Sequence, residues 1–326
     1  MQALAKDFEA RNPSVHVELV PLQWSDGKAK LQMALSTTER PDVVHLGLDW
    51  FGEFARYDVF ESSTSAPSIT WREAISFADS VRATPWTMNC RALLVRHGGT
   101  SRRVGLCTSD PHNVLKRTLP LLWQRSITTF CRRNPIHETM DEACVDALDE
   151  LRRTVQRGNP LGRSRDLDDM FVRGHIDTVI SGMWMIDRLL PLSDSVVVIP
   201  VPSLINADVL AVPRGARTAL AHAFVAFVTQ HNRVVTFCQA VPEAGFPIAD
   251  STAAAVVASV VHPRARALFQ GFRETLFSSI PMPTSPQTLA IESELEELVD
   301  RCLQATSYAE VRAHVTASRL RVAALE

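Results

Sequence analysis

Residues 41–55, PDVVHLGLDWFGEFA, decide the fold that this sequence predicts, because their periodicity changes partway through. Residues 42–46 read as a short β-branched strand, Gly47 interrupts it, and apolar residues then recur at helical spacing. Such a strand, turn and helix are typical of open α/β sheets, in which ligands bind beyond the carboxyl ends of the strands. Asp49 and Trp50 are therefore expected beside a crevice, where Trp50 is either a platform for a ligand or the lid of a small core.

The composition indicates a globular protein with two domains. The chain has 326 residues, more than one hydrophobic core usually serves. Its formal net charge of -2 gives no basic excess that would indicate a nucleic-acid partner. No apolar run approaches the roughly 18 residues of a membrane span. Met1 leads directly into a polar amphipathic helix without a signal-peptide core, so the chain as written is expected to stay in the cytoplasm.

Helical and strand patterns alternate along the N-terminal part of the chain. Apolar residues predict a helix that ends before Pro13, and residues 15–19 alternate as a strand. A loop that contains Trp24 leads to a second helix around residues 31–35. Together with residues 41–55, this order favours a doubly wound α/β layer with parallel strands.

Residues 171–190, FVRGHIDTVISGMWMIDRLL, repeat this design. A helix ends at Gly174, a strand covers residues 178–180, and Trp184 opens another helix that contains Asp187. A second strand end thus presents an aromatic ring, which suggests two lobes that face one cleft.

A third tryptophan lies on a connecting segment. Pro85 excludes the preceding residue from helical conformations, so Trp86 is expected on an extended connector that leads through Asn89 into a strand over residues 92–95.

Two predicted helices begin with polar residues that suit a helix N-terminus. Thr139 and Glu142 have the spacing of a capping box at the start of a helix over residues 139–155. Asp166, Asp168 and Asp169 begin a later helix, where negative charge meets the positive end of the helix dipole. The dipole explains these acidic residues without a metal.

The chain contains no motif for catalysis or for a metal. His97-Gly98-Gly99 resembles an oxyanion loop, but no GxSxG elbow supplies a nucleophile, so a plain turn is expected. The cysteines are scattered without a CxxC pair or a histidine at zinc-ligand spacing; they are Cys90, Cys107, Cys131, Cys144, Cys238 and Cys302. Most are predicted to be buried thiols, although disulfides remain possible in an exported protein. No metal or cofactor is predicted.

Four blocks of sequence are spread over nearly the whole chain: LAKDFEARNPSVHVELV, KAKLQMALSTTERPDVVHLGLDWFGEFA, MFVRGHIDTVISGMWMIDRL and AFVAFVTQHNRVVTFCQAVPEAGFPI. In this order they resemble extracellular solute-binding protein family 1, the maltodextrin-binding-like component of ABC importers. The third is similar to the family's F-x-x-G-x-x-A-M-x-x-x-G-x-W block, with Thr178-Val179 in place of Ala-Met. Members of the family begin with an export signal and a strand before the first helix, and neither precedes Met1 in this sequence, so the chain is expected to be either a fragment with a misplaced start or a reduced paralogue.

The resemblance implies a periplasmic-binding-protein-like type II fold with two discontinuous, doubly wound α/β lobes joined by a hinge. Residues 1–87 plus 208–280 would form lobe one, and residues 88–207 plus 281–326 lobe two. The lobes would close on a sugar-like ligand by hinge motion. The implied partners are a small-molecule ligand, a sugar, and the transmembrane subunits of an ABC permease. The implied protein is a monomer outside the cytoplasm, extracellular or periplasmic, with a membrane-tethered lipoprotein as an alternative.

The candidate ligand-binding residues combine aromatic rings with polar neighbours. Sugar faces carry C–H groups that stack on aromatic rings, whereas their hydroxyls need a few placed polar groups. Trp71 and Trp123 lie on predicted helices and are set aside. The candidates are Trp50, Trp86, Trp184, Asp49, Asn89, Trp24 and Asp187.

Two other classes of function remain open. A cytoplasmic ligand-sensing or regulatory module of the same fold, with no transport role, would explain the absent signal and the free thiols. An enzyme would need a convergent nucleophile or an acid/base pair, and no motif supplies one.

Overall fold

The computed structural model describes residues 1–23, 26–38, 40–63, 69–77, 80–98, 103–124, 136–281 and 286–326. Its helices are α1 (Gln2–Arg11), α2 (Gly27–Leu35), α3 (Leu48–Ala55), α4 (Ile69–Ile75), α5 (Val114–Trp123), α6 (Glu142–Gln156), α7 (Ser164–Val172), α8 (Ile186–Leu189), α9 (Thr218–Val228), α10 (His231–Ala240), α11 (Asp250–Ser259), α12 (Pro263–Phe277), α13 (Pro286–Gln304) and α14 (Tyr308–Leu325). Its strands are β1 (Val44–Gly47), β2 (Ser76–Phe77), β3 (Ser80–Val81), β4 (Thr84–Asn89), β5 (Arg91–Arg96), β6 (Val104–Cys107), β7 (Leu161–Gly162), β8 (Thr178–Gly182), β9 (Val196–Ile199), β10 (Leu204–Ala211), β11 (Phe246–Pro247) and β12 (Ile280–Pro281).

The described residues form two compact units. Unit 1 contains residues 1–88, 206–256 and Pro281, and unit 2 contains residues 89–205, 257–280 and 286–326. Residues 257–280, which the resemblance implied for lobe one, therefore belong to unit 2.

The packing of α12 explains this placement. The helix packs against β9 and β5 of unit 2. Gly271 makes the approach close, because a Cβ added there would lie 2.6 Å from the carbonyl oxygen of Val198. Leu268 and Phe272 on this helix are buried. A side chain larger than glycine would hold the helix away from the strand, so this contact depends on a position that helical periodicity alone does not reveal.

The sheet of unit 1 has the strand order β1-β10-β4-β11, with β12 beside β10. The predicted change from strand to helix within residues 41–55 is confirmed by β1 and α3. The predicted parallel pairing is wrong for β1, which runs antiparallel to β10 with Leu46 opposite Val209. The local pattern of residues 41–55 does not set the direction of this neighbour, because β10 follows only after β2 to β9 along the chain.

The strand predicted for residues 15–19 is also absent from the described part of the chain. These residues follow α1 as an irregular segment in which Val20 is 72% exposed. The Glu9 carboxylate accepts the backbone N–H of Val17 at 2.8 Å. An alternating pattern forms a strand only where the edge of a neighbouring strand supplies hydrogen bonds to its backbone. Here the Glu9 side chain accepts the backbone N–H of Val17 instead.

Unit 2 contains a mixed sheet of order β7-β6-β8-β5-β9. β6 runs parallel to β7 and β8, whereas β5 runs antiparallel to β8 and β9. The register of β5 and β8 places Arg91 opposite Gly182. This pair lies next to the turn that carries Trp184.

The cap of α6 differs from the predicted capping box. Asp141 Oδ1 accepts the backbone N–H of Cys144 at 3.1 Å. Thr139 ends a short 3₁₀ turn and donates its hydroxyl to the carbonyl oxygen of Ile136 at 2.6 Å. Aspartate is at least as good an N-cap as threonine. Because Asp141 lies two residues after Thr139, the 3₁₀ turn precedes the helix along the chain.

The described cysteines are buried thiols that form no disulfide within the described residues, and they are Cys90, Cys107, Cys144, Cys238 and Cys302. Cys131 lies outside the described residues. Burial raises the pKa of the Cys107 thiol to about 11 and that of Cys302 to about 12. No described helix combines the length and apolar character needed to cross a bilayer.

An ionisable cluster, in which Lys116, Glu292 and Glu296 are buried and the His112 side chain is 50% exposed, joins the start of α5 to α13 within unit 2. The Glu292 carboxylate lies 3.9 Å from the His112 ring and 3.2 Å from Lys116 Nζ. Glu296 accepts the backbone N–H of His112 at 2.8 Å. The nearby carboxylate of Glu292 raises the pKa of His112, and burial raises the pKa of Glu296.

These raised pKa values predict that stability falls as the pH rises. For His112 the contribution is fully present below the unfolded pKa of about 6.5 and is lost as the pH rises through the higher folded pKa. The contribution of Glu296 to stability has the same sign. It is lost as the pH rises from the unfolded pKa of glutamate, which is lower than that of histidine, through the raised folded pKa. His112→Asn should therefore flatten the fall in the free energy of unfolding above pH 6.5, measured by urea denaturation across a pH series. Asparagine suits the backbone here, because φ of His112 is +66°.

His175→Asn, at an exposed histidine of the same unit, is the control and should leave that slope unchanged. An unchanged slope in His112→Asn would contradict the prediction.

Candidate functional site

The candidate site is built around Trp184, in the turn that follows β8. Its indole is 37% exposed and lies against Gly182, where an added Cβ would come within 2.0 Å of the ring. Only glycine therefore leaves room for the ring in this position. The side-chain oxygen of Asn89 accepts the backbone N–H of Met183 at 3.2 Å, which fixes the turn itself.

Asp168 on α7 fixes the orientation of the indole. Its carboxylate accepts a hydrogen bond from Trp184 Nε1 at 3.1 Å and another from the Ser181 hydroxyl at 2.8 Å. Nη2 of Arg117 donates to both carboxylate oxygens, at 3.0 and 3.1 Å. The carboxylate is buried, and a buried charge is tolerated when it is paired and hydrogen-bonded in this way.

Two guanidinium groups lie over the indole. The Cζ atoms of Arg91 and Arg117 lie 5.1 and 6.0 Å from the ring centroid, within the range of a cation–π interaction. Arg91 Nη2 also donates to Asn113 Oδ1 at 2.8 Å, and Asn113 donates to Asp110 at 3.4 Å. Burial raises the pKa of Asp110, but hydrogen bonds from Ser164 and Asn113 outweigh it and leave the pKa below its ordinary value.

We call Arg91, Arg117, Asp168, Ser181 and Trp184 the Trp184 cluster. The sequence analysis predicted only the tryptophan. It assigned Asp168 to the helix dipole, whereas the structure shows that this carboxylate binds Arg117.

A signal for the missed charges is present in the sequence. Asp168 shares the buried face of α7 with Leu167 and Phe171. Arg117 lies on α5 between the buried Leu115 and Leu119. A charged residue within an apolar helical stripe needs a partner, so two such residues on different helices are candidates for a buried pair.

Trp86 is a core residue of unit 1, and its prediction as a ligand contact is corrected here. The side chain is 2% exposed on β4, and its ring stacks on Phe237 at 4.6 Å between centroids. Its Nε1 donates to His45 Nε2 at 3.3 Å, and that nitrogen lies 3.3 Å from Asp208 Oδ2. The segment after Pro85 is a strand of the sheet rather than a free connector, so the ring is covered by its neighbours.

The other predicted residues occupy separate places. Asp49 and Trp50 lie in the first turn of α3, both half-buried, and Asp49 Oδ1 accepts the backbone N–H of Trp50 at 3.1 Å. Asp187 is exposed on α8. Trp24 lies outside the described residues. The ligand contacts of Asp49, Trp50 and Asp187, and the cleft expected between the lobes, stay predictions.

Nothing in the described ranges brings together three histidine, cysteine or acidic side chains that could hold a metal ion. The Trp184 cluster instead combines an aromatic face with fixed polar and cationic groups, the combination that suits a small polar ligand.

One family model matches the N-terminal part of the chain. Residues 1–68 match the family described as bacterial extracellular solute-binding protein. The predicted family resemblance is confirmed. A search of curated proteins by sequence finds no match.

Solved structures of solute-binding proteins share the fold over nearly the whole chain. A cyclo/maltodextrin-binding protein complexed with maltotetraose has a TM-score of 0.76 at 14% identity, covering 98% of this chain and 92% of that one. The GacH receptor of Streptomyces glaucescens, studied unliganded and with acarbose, gives 0.78 at 17% identity, covering 98% and 94%. The Thermus thermophilus maltotriose-binding protein with maltotriose gives 0.72 at 15% identity, covering 98% and 96%.

At these identities the likeness establishes the fold. The predicted class, an α/β periplasmic-binding-protein-like fold, is thereby confirmed.

Proposed function

We propose that this chain binds a sugar at the Trp184 cluster and is the substrate-binding component of an ABC importer that delivers the sugar to a membrane permease. The observation that carries the proposal is an indole that is 37% exposed and yet held by hydrogen bonding and two cations. A ring in such a position is exposed to a ligand, and its orientation is already fixed.

The fold supports the class of ligand. Solute-binding proteins of this fold have been solved with maltotetraose and maltotriose bound. Stacking of an aromatic pair contributes roughly 0.5–1.5 kcal/mol beyond area burial, and the C–H face of a sugar is taken to gain a similar amount. Because Asp168 already fixes the orientation of the ring, little side-chain freedom is lost when the ligand binds.

Trp184→Ala tests the binding site. Maltotriose, maltotetraose and acarbose, titrated by calorimetry, should identify a ligand, and the variant should bind it about tenfold or more weakly, which corresponds to about 1.4 kcal/mol. The melting temperature of the free protein should fall only modestly, because the ring is partly exposed and Asp168 keeps its bonds to Arg117 and Ser181.

Phe277→Ala is the matched control. Phe277 is 46% exposed in the same unit, and the Cζ atom of Arg273 lies 5.4 Å from its ring centroid. Its replacement should leave affinity unchanged. A Trp184→Ala variant that melts many degrees lower and binds with unaltered affinity would show that the indole only packs.

The transport part of the proposal needs the membrane partner. The ATPase rate of the cognate permease complex in proteoliposomes should rise when the sugar-loaded protein is added and should not rise with the sugar alone. An unresponsive ATPase would leave sugar binding in place and overturn the delivery role.

A further inference from the structure

The acceptor atoms of the Trp184 cluster are already engaged. Both carboxylate oxygens of Asp168 accept from Arg117, and one also accepts from Ser181 while the other accepts from Trp184. The Ser181 hydroxyl donates to Asp168 and lies 3.4 Å from Arg117 Nη2, from which it accepts. A neutral sugar hydroxyl donates as well as accepts, and the cluster offers it few acceptors.

Hydrogen-bond donors, in contrast, are in surplus. Arg117 is 3% exposed, and its Nε and Nη1 have no hydrogen-bond partner within the described part of the chain. Buried donors are nearly always paired in folded proteins, so two on one guanidinium call for an acceptor supplied from elsewhere.

The positive charges near the indole also favour a ligand that brings acceptor atoms. Two guanidinium groups lie within 5.1 and 6.0 Å of the ring centroid. Coulomb attraction between charges a few ångströms apart is several times stronger in a partly desolvated site than in water. A negative group beside the ring is therefore attracted by both cations even where it does not touch them.

We propose that the sugar recognised at the Trp184 cluster carries an anionic, oxygen-rich substituent, either a carboxylate or a phosphate ester. The inference rests on the proposed function, because it concerns the ligand of the same site. The anion supplies acceptor oxygens to Arg91 and Arg117, while the indole stacks against the sugar ring. Trp184 is the exposed side chain of the cluster, so the sugar approaches from the side of its ring.

Matched sugars test the inference. Glucose, glucuronate and glucose 6-phosphate, together with galactose and galacturonate, are titrated into the purified chain by calorimetry, beside maltotriose as a neutral oligosaccharide. At least one acidic sugar should bind tenfold or more tightly than its neutral counterpart. Its affinity should fall as salt concentration rises, since screening weakens attraction between charges. The uronates and the phosphate ester distinguish the two sources of the anion.

Variants of Arg91 identify the cation. Arg91→Gln should weaken binding of the acidic sugar about tenfold and binding of neutral sugars less, whereas Arg91→Lys, which keeps the charge, should lose less. Arg273→Gln, at the guanidinium over Phe277, is the control and should change neither. Thermal melts show whether each variant is folded. If Arg91→Gln is unfolded, Arg91→Lys provides the test.

The outcomes separate the two proposals. If a neutral sugar binds through Trp184 and no acidic sugar binds better, the anionic substituent is wrong and sugar binding stands. If no sugar binds at all, both proposals are overturned.

Discussion

Replacing Asp168 by alanine should lower the free energy of unfolding by about 3–5 kcal/mol, because it leaves the buried guanidinium of Arg117 without its carboxylate. The side chains of Arg117 and Asp168 are 2% and 5% exposed, so water cannot substitute for the lost partner. The same change removes the acceptor of Trp184 Nε1 and should weaken sugar binding as well. Urea denaturation followed by circular dichroism measures the first effect, and calorimetry the second.

Asp169→Ala is the matched control one residue along the same helix. Asp169 pairs with Arg188 at 2.6 Å, but both side chains are exposed, at 48% and 41%. An exposed pair contributes about 0–1 kcal/mol, so this variant should remain close to the parent. Equal losses in the two variants would contradict the view that burial makes the Asp168 pair important.

Replacing Trp86 by alanine should have a comparably large effect on unit 1. Removal of a buried tryptophan typically costs about 3–5 kcal/mol through lost burial and the cavity that remains. Here the ring also stacks on Phe237 and donates to His45. We expect a fall in melting temperature far larger than that of Trp184→Ala, measured by calorimetric scans of both variants side by side.

Trp86→Phe separates packing from hydrogen bonding, since it keeps an aromatic ring and loses the donor to His45. It should recover much of the stability that alanine loses. A Trp86→Ala variant as stable as the parent would show that the ring is not part of the core.

Local sequence patterns predicted the elements that need no distant partner. The apolar spacing of α1 and the change from strand to helix at Gly47 both appear in the structure. Each depends on residues a few positions apart, because helix and strand periodicity and the breaking effect of glycine act over one or two turns. Residues 15–19 show where this reasoning fails. Their alternation is that of a strand, but a strand also needs an edge to pair with.

The same limit applies to the tryptophans. Trp86 and Trp184 both accompany strands, and the sequence analysis gave them the same role. The structure covers the first with Phe237 and leaves the second 37% exposed. Exposure depends on what other segments place over a ring, and periodicity within one segment does not contain that information.

By itself, the sequence determined the class of fold, the order of most helices and strands, and Trp184 as a candidate on the turn after β8. Tertiary structure alone decided that α12 packs in unit 2 and that Asp168 binds Arg117, from which it is separated by 51 positions. The physical reason is that hydrogen bonding and burial act between atoms close in space. Residues far apart along the chain meet only when the whole unit has folded.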